Sequence, residues 1–240
     1  HAFTSVMADI LKRNRQALGY DMMLSTGVDE HGQKNQEAAE KEGMSVEDYL
    51  NMRCAEFRDV FDRLDVAYDY FVRTSREGHK TAVAGMEQSI FDKDLIVKKN
   101  YTGTYCKGCE EFKKESDLTE EGQCPLHPTM KVEQTEETNY FLKMEPFRER
   151  LLQHIAENPD FVQPEAFKNE LKQMLSEPLE DLCISRPKAR VTLGIELPFD
   201  TDFVTYVWFD ALANYLTNIN WPEAGYESWW AECEHLIGKD

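Results

Sequence analysis

Apolar residues Phe3, Val6, Met7, Ile10, Leu11, Ala17 and Leu18 recur at helical spacing and stop at Gly19, which predicts a first helix over 2–18. "YDMMLST" predicts a short buried strand, "GVDEHG" a loop, and Gln33 to Glu42 a second helix closed by Gly43. Ser45 with Asp48 forms a capping-box pattern opening a helix to about Leu64, and a further helix is predicted over Glu77–Asp94. Helix, strand, loop, helix is the rhythm of a parallel α/β sheet.

From Ile96 to about Lys143 that rhythm breaks. Short β-prone pieces, "IVKKNYTGTYC" and "MKVEQTEETNYFLKM", flank a cysteine-bearing segment. Helices follow at about Pro146–Asn158 and Pro164–Glu177, each introduced by proline. "GIELPF" reads as a connector, "FVTYVWF" as a strong strand, "DALANYLTNI" as a helix and "CEHLIGKD" as a last strand. The α/β rhythm therefore stops, an irregular insertion intervenes, and the rhythm resumes. The divisions expected are 1–95, 96–203 and 204–240, with a metal knuckle over about 101–130.

Composition narrows the class. With 240 residues, 41% hydrophobic and 30% charged, the chain has the make-up of a globular protein of one or two domains. No stretch approaches a membrane span and nothing resembles a signal peptide. The chain starts at His1 without a methionine, so a processed chain or a fragment is expected. A formal net charge of −18 repels nucleic acid in bulk, so an RNA contact needs a local basic patch. Lys98, Lys99, Arg186, Lys188 and Arg190 are the candidates, each by itself better read as a solvated cation. The six cysteines are too sparse for a secreted disulfide scaffold and point to a reducing, cytoplasmic compartment. Cys54, Cys183 and Cys233 are expected as small buried hydrophobes.

Four segments carry chemistry. Cys106, Cys109, Cys124 and His127 follow the pattern C-x2-C-x14-C-x2-H, two close pairs of soft ligands suited to tetrahedral Zn²⁺. A redox dithiol would sit at a strand-to-helix turn and needs no second pair. Four protein ligands leave no open position, so the expected metal is structural. Glu115, Asp117, Glu120 and Glu121 between the pairs read as solvated. In "TGVDEHG", at the end of a parallel strand, Asp29 and Glu30 are candidates to hold an ammonium and His31 to hydrogen-bond a ligand. Asp and Gly also simply favour turns. Trp208, Ala211, Leu212 and Tyr215 share one helical face, a stripe that by itself reads as core packing. "LIGKD" ends an apolar strand with an acid that suits ribose hydroxyls or merely a turn.

Taken in order, "TGVDEHGQKNQEAA", "YCKGCEEF…CPLH", "NYFLKM", "ENPDFVQPEAFKNEL", "CISRP", "TYVWFDALANYL" and "HLIGKD" resemble the catalytic domain of the bacterial methionyl-tRNA synthetase family. The resemblance runs over essentially the whole chain, to the subtype whose single zinc site is completed by His. It implies a class I synthetase nucleotide-binding fold, a Rossmann-like parallel sheet split by a zinc-binding connective insertion. It implies activation of methionine by ATP to methionyl-adenylate and transfer to the 3′ end of tRNA(Met), with structural Zn²⁺ and with Mg²⁺ accompanying ATP. Asp29 matches the carboxylate that binds the substrate ammonium, and Trp208, Ala211, Leu212 and Tyr215 match the side-chain pocket. Leu212 stands where some members have proline. Gly238 and Asp240 match the ribose segment, Arg186 an arginine of the activation step, and His1 the last histidine of the H-x-G-H signature. The strand before that signature, its first His, the lysine-rich mobile loop and the anticodon-binding domain are not in the sequence, so the chain as given is expected to be incomplete as a catalyst. Two other readings fit the sequence less well. Another class I synthetase would place its zinc in the active site or carry a long editing insertion. A zinc-binding interaction module would leave the flanking α/β halves unexplained.

Overall fold

The computed structural model describes residues 2–106, 108, 109, 111–119 and 121–238. The chain forms two compact units, one from residues 1–87 with 187–240 and one from 88–186.

The first unit begins with α1 (Ala2–Ala17) and β1 (Ser25–Val28), followed by α2 (Gln33–Glu42), α3 (Val46–Arg63) and β2 (Tyr70–Arg73). β1 and β2 pair in parallel, with Ser25 opposite Tyr70 and Val28 opposite Arg73. Gly27 is dictated by this pairing, because a Cβ there would lie 2.2 Å from the Val72 carbonyl oxygen. α1 is fastened to the pair by buried charge. Asp9 accepts from the Ala67 amide and the Arg13 Nε at 3.0 and 2.8 Å, while Lys12 Nζ donates to Asp69 at 2.6 Å and to the Ala67 carbonyl at 2.7 Å. The α2–α3 turn follows its expected chemistry. Gly43 ends α2 in the left-handed region, and Ser45 Oγ accepts from the Asp48 amide at 3.1 Å. Ala39, Tyr49 and Leu50 form the core between these helices.

α4 (Glu77–Asp92) leads out of the first unit. In the second unit β3 (Ile96–Cys106), β4 (Glu111–Lys113), a 3-10 turn (Glu115–Asp117) and β5 (Glu133–Leu142) precede α5 (Glu145–Glu157), α6 (Glu165–Met174) and β6 (Leu182–Cys183). These strands form an antiparallel sheet in the order β4-β3-β5-β6. The β3–β5 ladder runs from Ile96 opposite Leu142 to Tyr105 opposite Glu133 and is the backbone of the unit. Tyr105, Ile155, Leu175 and Ile184 are among its fully buried side chains. β7 (Ser185–Pro187) carries the chain back to β8 (Glu196–Leu197), β9 (Asp200–Thr205), α7 (Val207–Thr217) and α8 (Tyr226–Ala231).

Several expected elements differ. The "YDMMLST" strand starts only at Ser25, because Leu24 spends its amide on the Asp69 carboxylate and its carbonyl on the Asp69 and Tyr70 amides. "GIELPF" is not a plain connector: Glu196 and Leu197 pair antiparallel with β9. "FVTYVWF" is divided between two elements. The strand ends at Thr205, Tyr206 is extended, and its carbonyl accepts from the Phe209 and Asp210 amides to open α7. The aromatic, β-branched run suits a strand by propensity, but the packing of Ala213 and Phe209 against Val83 and Ile195 selects a helix. Residues 233–238 of "CEHLIGKD" form no strand. Their amides join no ladder among the described residues, and a strand exists only where a neighbour pairs with it. Cys54 is buried as expected and Cys183 partly so, but Cys233 is exposed. No described helix is long and apolar enough to cross a membrane.

Candidate active site and metal centre

In the first unit the loop after β1 delivers three polar side chains with three different fates. Glu30 is 1% exposed and fully committed: it accepts from Arg73 Nε at 2.8 Å and from the Ser75 hydroxyl and amide, while its own amide donates to Thr74 Oγ1. It therefore serves as a buried counter-ion at the end of β2 rather than as a ligand for an ammonium. His31 turns inward to Asp210, with Nδ1 2.7 Å from Oδ2. Asp29 presents much of its surface to solvent, and partial desolvation by the surrounding protein raises its carboxyl pKa. The Asp210 charge adds to that rise, and His79 and His31 oppose it.

α7 lies antiparallel alongside β1. Asp210 in its first turn meets His31 after the strand, and Asn218 at its end donates to Ser25 Oγ at the strand's start. This arrangement turns Asp210 and Ala213 into the unit and the apolar stripe outward. Trp208, Leu212 and Tyr215 are 43%, 56% and 47% exposed, with Ala211 half-buried between them. The stripe is not core. A solvent-facing run of one Trp, one Leu and one Tyr is what an apolar ligand site offers. Desolvation raises the Tyr215 phenol pKa and the charge of Asp29 adds to the rise, so the two residues share one electrostatic neighbourhood.

Sequence reasoning missed His79, Asp210, Thr217 and His235. His79, 2% exposed on α4, contacts Asp210 through Nε2 and Thr217 through Nδ1. The ring of His235 packs edge-on against Tyr215 at 4.7 Å and tilted against Trp230 at 5.5 Å. Nothing in the sequence singles these out, since His31 and His79 lie 179 and 131 positions from Asp210, and His79 lies 138 from Thr217. Gly238 sits against the first turn of α1, where a Cβ would come within 2.7 Å of Thr4 Oγ1. His1 and Asp240 lie outside the described residues.

Arg186 belongs to the second unit. It is buried, lies over the Tyr105 ring at 5.6 Å, and donates to the Ser185 carbonyl at 2.7 Å and to Cys183 Sγ at 3.1 Å. Of the other basic candidates, Lys98 lies over Tyr140, while Lys99 pairs with Asp181 and Lys188 with Glu196.

Also in the second unit, Cys106, Cys109, Cys124 and His127 converge so that their ligand atoms all lie within 4.8 Å of one another. His127 Nδ1 is 3.3 Å from Cys109 Sγ and 3.9 Å from Cys106 and Cys124 Sγ, and Cys109 and Cys124 sulfurs are 3.5 Å apart. Tetrahedral zinc, with bonds of about 2.3 Å to sulfur and about 2.0–2.1 Å to nitrogen, separates its ligands by about 3.5–3.8 Å. The donor set and its spacing fit such an ion. Gly108 makes room for it, since a Cβ there would fall 2.3 Å from the His127 ring. The four residues could hold a metal. Glu115, Asp117 and Glu121 are exposed, and Glu120 lies outside the described residues.

Comparison with known proteins identifies the family. The family model for class I tRNA synthetases (M) matches residues 1–136 and 126–240. A methionine–tRNA ligase of Clostridium acetobutylicum is 40% identical over 244 residues, covering 100% of this chain and 37% of the relative. One of Caldanaerobacter subterraneus is 37% identical over 243 residues, covering 100% and 38%. The structure of Mycobacterium tuberculosis methionyl-tRNA synthetase in complex with methionyl-adenylate superposes with a TM-score of 0.88 at 31% identity, over 96% of this chain and 46% of that one. The chain thus spans less than half the length of these relatives. With the model matched from end to end and the relatives aligned over the whole chain, the chain belongs to the class I tRNA synthetases (M).

Proposed function

We propose that this chain is the catalytic portion of a methionine–tRNA ligase, which joins methionine to ATP and then passes the methionyl group to the 3′ end of tRNA(Met). The observation that carries the reading is Asp29 at the end of β1 beside the outward apolar stripe of α7, in a chain that aligns throughout with ligases of that name. In this reading Asp29 holds the ammonium, and Trp208, Ala211, Leu212 and Tyr215 enclose the thioether. A polarizable sulfur gains from aromatic contact, which favours methionine over a polar side chain of the same length.

In the first step a methionine carboxylate oxygen attacks the α-phosphorus of ATP, the bond to the pyrophosphate oxygen breaks, and pyrophosphate leaves with its electron pair. In the second, a terminal ribose hydroxyl of the tRNA attacks the acyl carbon, loses its proton and displaces AMP. No protein nucleophile is required, so the protein acts by positioning and by placing charge near the phosphates. Gly238, against the first turn of α1, would let the backbone approach the ribose, with Asp240 accepting from its hydroxyls. His1 and Arg186 are proposed to serve the activation step, with Mg²⁺ accompanying ATP. Cys106, Cys109, Cys124 and His127 would hold Zn²⁺ with no open position, so that the ion organises its loop and takes no part in the reaction.

The division of the chain into residues 88–186 and the remainder supports reading its middle as a connective insertion between two halves of a nucleotide-binding domain. In this reading the protein works with the translation machinery of the cytoplasm. The test is ATP–pyrophosphate exchange by the full-length protein carrying this chain, offered each amino acid separately. Exchange that depends on methionine supports the reading, and exchange driven by another amino acid overturns it.

A further inference from the structure

Asp210 is the acidic residue in the first turn of α7, yet it points away from the apolar stripe and is 1% exposed. Its two oxygens meet two different imidazoles. Oδ2 lies 2.7 Å from His31 Nδ1 on the loop after β1, and Oδ1 lies 2.5 Å from His79 Nε2 on α4. His79 Nδ1 is in turn 2.7 Å from Thr217 Oγ1 near the end of α7. One carboxylate thus joins three elements of the first unit, and the Asp29 carboxyl feels the charges of Asp210, His79 and His31.

The chemistry of this cluster restricts where its protons sit. Burial pushes the Asp210 carboxyl up, but the hydrogen bonds and charges of His31 and His79 outweigh it and leave the pKa below the ordinary carboxylate value. An ionised carboxylate only accepts, so each imidazole must present an N–H to it. In a neutral ring that N–H is on Nδ1 of His31 and on Nε2 of His79, and the Thr217 hydroxyl is then left to donate to His79 Nδ1. In His31 this leaves Nε2 with a lone pair, and no described residue donates to that nitrogen.

We propose that Asp210 is a positioning residue for the amine of the amino-acid substrate: by holding His31 in its Nδ1–H tautomer against α7, it leaves Nε2 as a hydrogen-bond acceptor beside Asp29, so that one ammonium is held by the Asp29 carboxylate and the His31 lone pair together. The inference rests on the reading of Asp29 as the ammonium site. An imidazolium at His31 would repel the ligand, and the opposite tautomer would offer it a second donor where an acceptor is needed. Asp210 sets both properties without touching substrate.

Imidazole nitrogen NMR on the full-length enzyme at neutral pH, with His31 assigned by a His31→Gln variant, reads the tautomer directly. The expected spectrum is neutral Nδ1–H for His31. An Nε2–H tautomer or an imidazolium overturns the proposal whatever the variants do. Asp210→Asn keeps the shape but supplies one acceptor and one donor, so one imidazole must change tautomer or lose its partner. In that variant methionine affinity should fall about tenfold or more, the cost of an unmet buried hydrogen bond. ATP affinity and binding of a methionine analogue lacking the amine should stay within about twofold of wild type. Equal losses for methionine and the amine-free analogue overturn the proposal. If Asp29→Asn weakens methionine and Asp210→Asn does not, the proposal falls and the reading of Asp29 stands. If Asp29→Asn leaves methionine binding unchanged, that reading falls and the proposal with it. Should Asp210→Asn fail to fold, the wild-type spectrum still decides.

Discussion

The Arg73 guanidinium, at the end of β2, lies 2.8 and 2.7 Å from a single oxygen of Glu30, whose side chain is 2% exposed. The other oxygen is taken by Ser75, and Arg73 is braced by the Asn51 amide oxygen at 2.8 Å. Of the two adjacent acids in "VDEHG", this pairing commits Glu30 to the fold, and Asp29 is the one proposed to hold the ligand. Arg73→Ala should strand a buried carboxylate and destabilise the first unit by about 3–5 kcal/mol, the usual cost of removing one partner from such a pair. Hydrogen exchange of β1 and β2 amides checks it, and unchanged protection would refute the assignment of Glu30 as a structural counter-ion.

For Asp29 the expected pattern is selective. Asp29→Ala should weaken methionine binding by about tenfold to a hundredfold, because a charge-assisted contact is removed from a partly desolvated site, with ATP binding little changed. Titration calorimetry with each ligand separates the two, and equal losses would move Asp29 out of the amino-acid site.

Removal of the metal proposed at Cys106, Cys109, Cys124 and His127 should act locally. Cys106→Ala, or chelation of the wild type, should release the ion and loosen about residues 101–130, because those ligands are the closure of that loop. Gly108→Ala should do the same through its Cβ, which would meet the His127 ring at 2.3 Å. Metal analysis with exchange mapping tests both, and release of metal without any loosening would count against a structural ion.

Glu87 carries a pH dependence. It is fully buried, accepts from Thr205 Oγ1 at 2.8 Å, and burial, with Asp210 adding, pushes its carboxyl up to about 8 from 4.5. Between those values the unfolded chain releases the proton while the folded one keeps it, so the unfolded state binds fewer protons and stability falls as pH rises across that window. Below the unfolded value, and above the folded one, this group contributes no slope. The total is on the order of several kcal/mol at about 1.4 kcal/mol per pKa unit. Glu87→Gln, which cannot ionise, should flatten the decline. Denaturant midpoints at pH values spanning the window measure it, and an unchanged slope would show that Glu87 ionises freely in the folded state.

Much of this protein is determined by local sequence. Helices α1 to α6 lie within a few residues of their periodic apolar positions, because a 3.6-residue pattern and its caps act over one or two turns. Ser45 and Gly43 bracket the α2–α3 turn by chemistry confined to their own neighbours. The cysteine–histidine knuckles are equally local: two pairs of candidate ligands three positions apart bring most of the cluster with them. Tertiary structure decided the rest. It made Val207–Phe209 helical and 233–238 irregular against their β propensity, since a strand needs a partner and a helix can be imposed by packing on Val83 and Ile195. It turned the Trp208–Leu212–Tyr215 stripe outward and Asp210 inward, which helical spacing cannot choose between, because periodicity defines a face and not what the face meets. And it alone brought His31 and His79 to Asp210, 179 and 131 positions away, by setting α7 against both the loop after β1 and α4.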